Sequence, residues 1–438
     1  PGDEIVGYIT KGRGVSVHRG DCPNVTNFTE DINRLIDVEW YKSKNSEYVA
    51  EIEVFANDRN GLFADVSAAI NDVKGKINVT KYTGSPIKLK LIPANSVDVN
   101  NKIGNNKTKI MPEISVRGLE MPESPIRKLA PLAAAAKKRG TKVYHLNIGQ
   151  PDLPTPKEGL EALKHIDRTI LEYSPSQGYL SYREKLVDYY AKYDIKVTAD
   201  DIIITSGGSE AVLFAFLSCL NPGDEIIVPE PAYANYMAFA ISAGAKIKTI
   251  ATTIDEGFSL PKVEKFEELI NERTRAIMIC NPNNPTGYLY TRREMNQIRD
   301  LVKKYDLYLF SDEVYREYIY TGSPYISACH LEGIEQNVIL IDSVSKRYSE
   351  CGIRIGALIT KNEKVRKAVM KFCQARLSPP LIGQIVAEAS LDASEEYYRD
   401  VYDEYVERRK CLIDGLNRIP GVYSPIPMGA FYTVAKLP

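Results

Sequence analysis

The segment LIDSVSKRYSECGIRIG follows an apolar strand with Ser343, Lys346 and Arg354. An amine in that setting can condense with a carbonyl, and a guanidinium eight residues on suits bidentate contact with a phosphate. In LYLFSDEVYREY a charged pair follows a hydrophobic strand directly, which puts Asp312 at a carboxyl end with Tyr315 three residues later. ICNPNNPTGYLY stiffens a loop with two prolines and a glycine, and there Asn284 offers an amide to a polar ligand. In ITSGGSEAVLFAF a strand runs through Gly207, Gly208 and Ser209 into an apolar helix, so backbone N–H groups can approach a phosphate at the helix start. Each segment also has an ordinary reading: a surface lysine, a helix N-cap, a tight turn, a plain strand-to-helix turn. Their order, spacing and complementary chemistry favour one joint site.

The elements that must position these residues are legible as apolar strands alternating with helices of a dozen or so residues. DIIIT, DEIIVP, RAIMICNP and LYLFSDE are such strands, which predicts βαβ units around a mainly parallel sheet with flanking helices, an α/β fold. Ligands of such sheets sit at strand ends and helix starts. Upstream, the first 28 residues are Gly-rich and turn-rich. EYVAEIEVFANDR then alternates as a half-buried strand, and GLFADVSAAINDV sets Leu62, Val66, Ala69, Ile70 and Val73 on one helical face. A small α+β unit is expected over 29–83, a linker over the Asn- and Lys-rich 84–110, and the large domain over 111–438.

Composition narrows the partners. With 56 Lys plus Arg against 57 Asp plus Glu, the net charge of -1 gives no reason to expect nucleic acid. Seven Cys without a CxxC pair fit neither a disulfide framework nor a zinc site, and His145, His165 and His330 lack ligand spacing, so no metal is expected in the large domain. No apolar run of about 18 residues and no export signal is seen, and the expected compartment is the cytoplasm.

SGGSEA, NPNNPTG, SDEVY and SVSKRYSECGIRIG, in that order, resemble the class I/II aminotransferases of the aspartate aminotransferase superfamily, whose fold is the pyridoxal-phosphate-dependent transferase fold type I. NIGQPDLPTP and EYSPSQGYLSYREKL resemble that family's substrate-carboxylate loop and the stretch carrying a tyrosine donated across a homodimer interface. The resemblance implies pyridoxal 5′-phosphate on Lys346 as a Schiff base, with Lys346 also moving the proton. It implies Asp312 against the pyridine nitrogen, Tyr315 and Asn284 on the phenolic oxygen, and Tyr233 of EPAYANY stacked on the ring. Arg354, Ser343, Ser209 and Gly208 would hold the phosphate, with Tyr173 reaching a neighbouring subunit's phosphate and Gly149 offering its N–H to the substrate carboxylate.

The implied reaction passes an amino group from an L-amino acid, aspartate-like at first choice, to a 2-oxo acid such as 2-oxoglutarate. A lyase on the same scaffold is the alternative. In the family an arginine gripping the α-carboxylate comes tens of residues after GAFY, beyond GAFYTVAKLP. The expectation is therefore an incomplete small domain and a chain that holds cofactor but transaminates poorly. The start, PGDEIVGYITKGRGVSVHRGDCPNV, resembles the regulatory region of Rel-type (p)ppGpp synthetase/hydrolases, with His18 and Cys22 as half of a zinc-type motif. The strand and helix expected over 29–83 resemble a partial ACT domain, so a regulatory fragment joined to an inactive enzyme is a further reading.

Overall fold

The computed structural model describes residues 114–124 and 127–438 together with the backbone of six strands among the first 113 residues. The chain divides into two compact units, Pro1–Pro112 and Glu113–Pro438.

In the first unit, β1 (Ile5–Thr10) pairs antiparallel with β2 (Gly14–Arg19) and with β3 (Leu35–Val38). The stretch expected to be mainly turns thus holds a hairpin. A second antiparallel sheet has the order β4 (Ala50–Val54), β6 (Ile87–Pro93), β5 (Gly75–Lys81). The linker expected over 84–110 is corrected here, because IKLKLIP alternates apolar residues with lysines and forms the central strand, in register Ile52↔Leu89 and Ile77↔Leu91. Composition had masked that alternation. The helix expected near 62–73, and Cys22 and the side chain of His18 from the zinc-type motif, lie outside the described residues.

The second unit is built on a seven-stranded sheet in the order β7-β13-β12-β11-β10-β8-β9. Its strands are β7 (Ile202–Thr205), β8 (Glu225–Glu230), β9 (Lys246–Ala251), β10 (Thr274–Cys280), β11 (Tyr308–Asp312), β12 (Val338–Ser343) and β13 (Gly356–Ile359). Only β13 runs against its neighbours. The central strands are apolar on both faces because helices cover both; β12, VILIDS, is buried at every residue. The helix Arg292–Tyr305 shows why such cover forms. Thr291 and Glu294 make a reciprocal capping box, and Met295, Ile298, Leu301 and Val302 form its buried stripe.

Beside the carboxyl ends of β11 and β12 the packing turns polar. Arg316 Nη2 lies 3.1 Å from Glu313 Oε2 and its Nη1 lies 3.5 Å from Asp342 Oδ2, and none of the three side chains is exposed. Arg347 grips both oxygens of Asp342 at 3.2 and 2.9 Å, and the Tyr190 hydroxyl donates to the same carboxylate at 2.6 Å. Burial pushes the Asp342 carboxyl up, but Arg347 and Arg316 outweigh it and hold the group below its ordinary range. Removing one partner of such a network strands the others as buried charges. Arg316→Leu is expected to lower the unfolding free energy by about 3–5 kcal/mol, read from urea titrations; a loss below ~1 kcal/mol would show that the network is not a structural tie.

Candidate active site

The sheet delivers the predicted residues to one edge. Asp312 ends β11, and Ser343 ends β12 and caps the short helix Val344–Arg347 that carries Lys346. Asn284 lies in the loop after β10, and Gly208 opens the helix Gly208–Cys219 after β7.

Lys346 is largely withdrawn from solvent, and its Nζ donates to the Gly149 carbonyl at 2.6 Å. Burial pulls its amine below the ordinary lysine range, with Cys351 and Asp312 opposing that shift and Arg354 adding to it. A larger neutral fraction makes the amine a better nucleophile. Asp312 accepts from the Tyr236 hydroxyl at 2.6 Å and from the Val314 N–H at 3.4 Å. Burial nonetheless pushes its carboxyl up to about 6, because hydrogen bonds and Lys346 only partly offset the loss of water. A buried carboxylate so poorly compensated fits a cationic partner such as a protonated ring nitrogen.

Asn284 Nδ2 donates to the Tyr315 hydroxyl at 3.1 Å, bringing the two expected phenol-oxygen ligands together. Tyr233 packs edge-on against Tyr236 at 5.3 Å, with its hydroxyl accepting from Asn235. At the expected phosphate end, Gly207 has φ +80°, and a Cβ there would run into the Arg354 guanidinium. A Cβ on Gly356 would meet the backbone of Gly207 and Gly208. Gly207 and Gly356 therefore let the arginine and β13 approach the first turn of a twelve-residue helix, whose leading N–H groups face no preceding turn, leaving a small cradle there. Ser209 lies in that turn. Ser343 stands beside it, with its Cβ 3.6 Å from where a Cβ on Gly208 would lie, but its hydroxyl is occupied by Ser345 and the Ile355 carbonyl. The cradle and the buried carboxylate fit the two ends of a pyridoxal phosphate.

Tyr173 is not brought into this cluster; it is 76% exposed. Gly149 is in the cluster, and the contacts engage its carbonyl. Sequence reasoning missed Tyr236, although its spacing of three from Tyr233 puts both on one side of the helix start. It also missed Phe431 and Tyr432, which stack on each other at 4.9 Å and each meet Tyr315 edge-on. No local signal could have found that contact across more than a hundred residues.

Residues 141–438 match the aminotransferase class I and II family. The chain belongs to that family. It is similar to the aspartate aminotransferase of Pyrococcus horikoshii, 34% identical over 74% of this chain and 82% of the relative. It is also similar to aromatic-amino-acid aminotransferase 2 of Thermococcus litoralis, 31% identical over 72% and 80%. Among solved structures, the alanine aminotransferase from Pyrococcus furiosus superposes with a TM-score of 0.70 at 33% identity, covering 74% of this chain and 84% of that one. The second unit is thus a fold-type-I, pyridoxal-phosphate-dependent aminotransferase. Residues 1–41 match the RelA/SpoT RIS domain, which reaches past the 28-residue fragment expected from sequence.

Asp312 makes stability in the cofactor-free aminotransferase depend on pH with a definite sign. Between about pH 4 and 6 the folded chain keeps a proton that the unfolded chain gives up, so stability falls as pH rises through that window. Asp312→Asn should remove roughly 2–3 kcal/mol of that fall, measured as urea midpoints at pH 4 and 7. Glu350, which burial pushes up to about 7, adds the same fall to both proteins. Parallel pH profiles would show that Asp312 is not strained by burial.

Proposed function

We propose that this aminotransferase holds pyridoxal 5′-phosphate on Lys346 and transfers the amino group of an L-amino acid to a 2-oxo acid. The observation that carries the reading is the part-buried Lys346 amine, bonded to the Gly149 carbonyl, in one site with the buried Asp312 carboxylate and the glycine-lined cradle. When bound, the cofactor supplies a cationic ring that takes up the electron pair left as an amino acid's α-proton departs. Asp312 would keep a proton on the ring nitrogen, and its Tyr236 bond would fix the carboxylate's aim. Tyr315, steadied by Asn284, would donate to the phenolic oxygen, and Tyr233 would cover a ring face. Arg354, Ser209, the Gly208 N–H and, after rotation of its hydroxyl, Ser343 would hold the phosphate.

Once displaced, Lys346 Nζ would take the α-proton of the donor and return it, which its lowered proton affinity favours. Gly149 would offer backbone to the donor's carboxylate. The names of the similar enzymes support aspartate first, with aromatic amino acids and alanine as further donors. A homodimer in the cytoplasm is part of this reading. The helix Ala130–Lys138 buries no residue, and Leu132, Leu146 and Tyr173 are largely exposed, as surfaces awaiting a second copy are. No helix among the described residues is long and apolar enough to cross a membrane.

The test is the visible spectrum of the purified chain with pyridoxal phosphate. A band above that of free cofactor should appear, be absent from Lys346→Ala, and be lost on adding L-aspartate or another donor. In Asp312→Asn that loss should be slower by roughly a hundredfold or more. A band indifferent to Lys346 would overturn the attachment site, and one that no donor changes would overturn the transfer reaction. Ammonia and pyruvate as products would turn the reading to a lyase.

A further inference from the structure

The carbonyl of Gly149 is approached by two donors, Lys346 Nζ at 2.6 Å and the Tyr432 hydroxyl at 3.4 Å. Tyr432 in turn accepts from the Tyr315 hydroxyl at 2.9 Å, and Tyr315 accepts from Asn284 at 3.1 Å. Each phenol gives one proton and takes one, so a directed hydrogen-bond chain runs from Asn284 through both tyrosines to the backbone of the loop at Gly149. The ring of Tyr432 is locked by Phe431, stacked at 29°, and by Tyr315 at 89°. The fit to the loop is close enough that a Cβ on Gly149 would overlap the Tyr432 hydroxyl.

We infer that Tyr432 is a positioning residue, the tie that holds Gly149 in place once Lys346 is engaged elsewhere. The inference rests on the reading that Lys346 carries the cofactor. In the structure the amine takes the carbonyl at short range and leaves the tyrosine a long bond. When the Lys346 nitrogen is committed, the carbonyl loses its nearer donor, and Tyr432 is the hydroxyl already aimed at it. The loop around Gly149 has no helix or strand of its own, and its backbone conformation depends on such ties. Tyr315 has one proton, so if it is given to the cofactor's phenolic oxygen Tyr432 is held by its ring contacts with Tyr315 and Phe431, and its own proton stays aimed at the backbone set against the donor's carboxylate.

Lys346→Ala removes the amine as cofactor attachment does, which permits a test without cofactor. Hydrogen exchange of peptides covering 144–153 is compared for the wild type, Tyr432→Phe, Lys346→Ala and the double variant. Tyr432→Phe keeps the ring packing and deletes only the hydroxyl. It should speed exchange by about threefold or more in the Lys346→Ala background and by less in the wild-type background. In the loaded enzyme it should raise KM for the amino donor about tenfold with kcat changed less than about threefold, a split that general loosening of the fold would not give. Equal exchange in Lys346→Ala and the double variant would overturn the inference. Absence of a Lys346-dependent visible band in the wild type would instead overturn the cofactor reading, and the exchange comparison would still decide the role of Tyr432.

Discussion

Burying charge at the carboxyl edge of the sheet is the constraint around which the aminotransferase unit is arranged. β11 ends in Asp312 and β12 carries Asp342 just before its last residue, Ser343, and both carboxylates are withdrawn from water. Their surroundings drive them apart. Asp342 is gripped by Arg347 and approached by Arg316, so it stays ionised. Asp312 receives a phenol and a backbone N–H, and burial outweighs those bonds and the Lys346 charge, so its charge is strained. Two carboxylates on adjacent strands thereby differ in partners, one gripped by arginine and one held only by neutral donors.

That division explains why Arg347 follows Lys346 directly. The short helix from Val344 turns successive side chains to different sides, so the arginine is drawn into the Asp342 network while the lysine faces Gly149. Anchoring the arginine fixes the backbone that carries the amine. Tyr189 reinforces this from the covering helix, its hydroxyl accepting from both Arg347 and Arg316. The stiffness expected of a site that must hold reacting atoms closely is thus supplied by buried ion pairs.

The N-terminal unit has its own antiparallel sheets and is similar at its start to the RelA/SpoT RIS domain. Among the described residues, the groups suited to aminotransferase chemistry belong to Glu113–Pro438.

The sequence by itself determined the α/β class, the strand-to-loop positions of Asp312, Asn284 and Lys346, and the chemistry they suit. Those facts are local: apolar runs of strand length, the residue types that end them, and glycines at the strand-to-helix turn. It misread Ile87–Pro93, where lysines alternating with apolar residues looked like linker until two partner strands gave them a register. Only the tertiary structure decided which carboxylate would be neutralised by arginine, since that depends on side chains from separate elements meeting in a medium without water. It alone showed Tyr236 beneath Asp312 and Tyr432 on Gly149, the latter a contact between residues almost three hundred positions apart. Hydrogen bonds of that span leave no periodicity in a chain; they exist because the sheet brings distant ends to one edge.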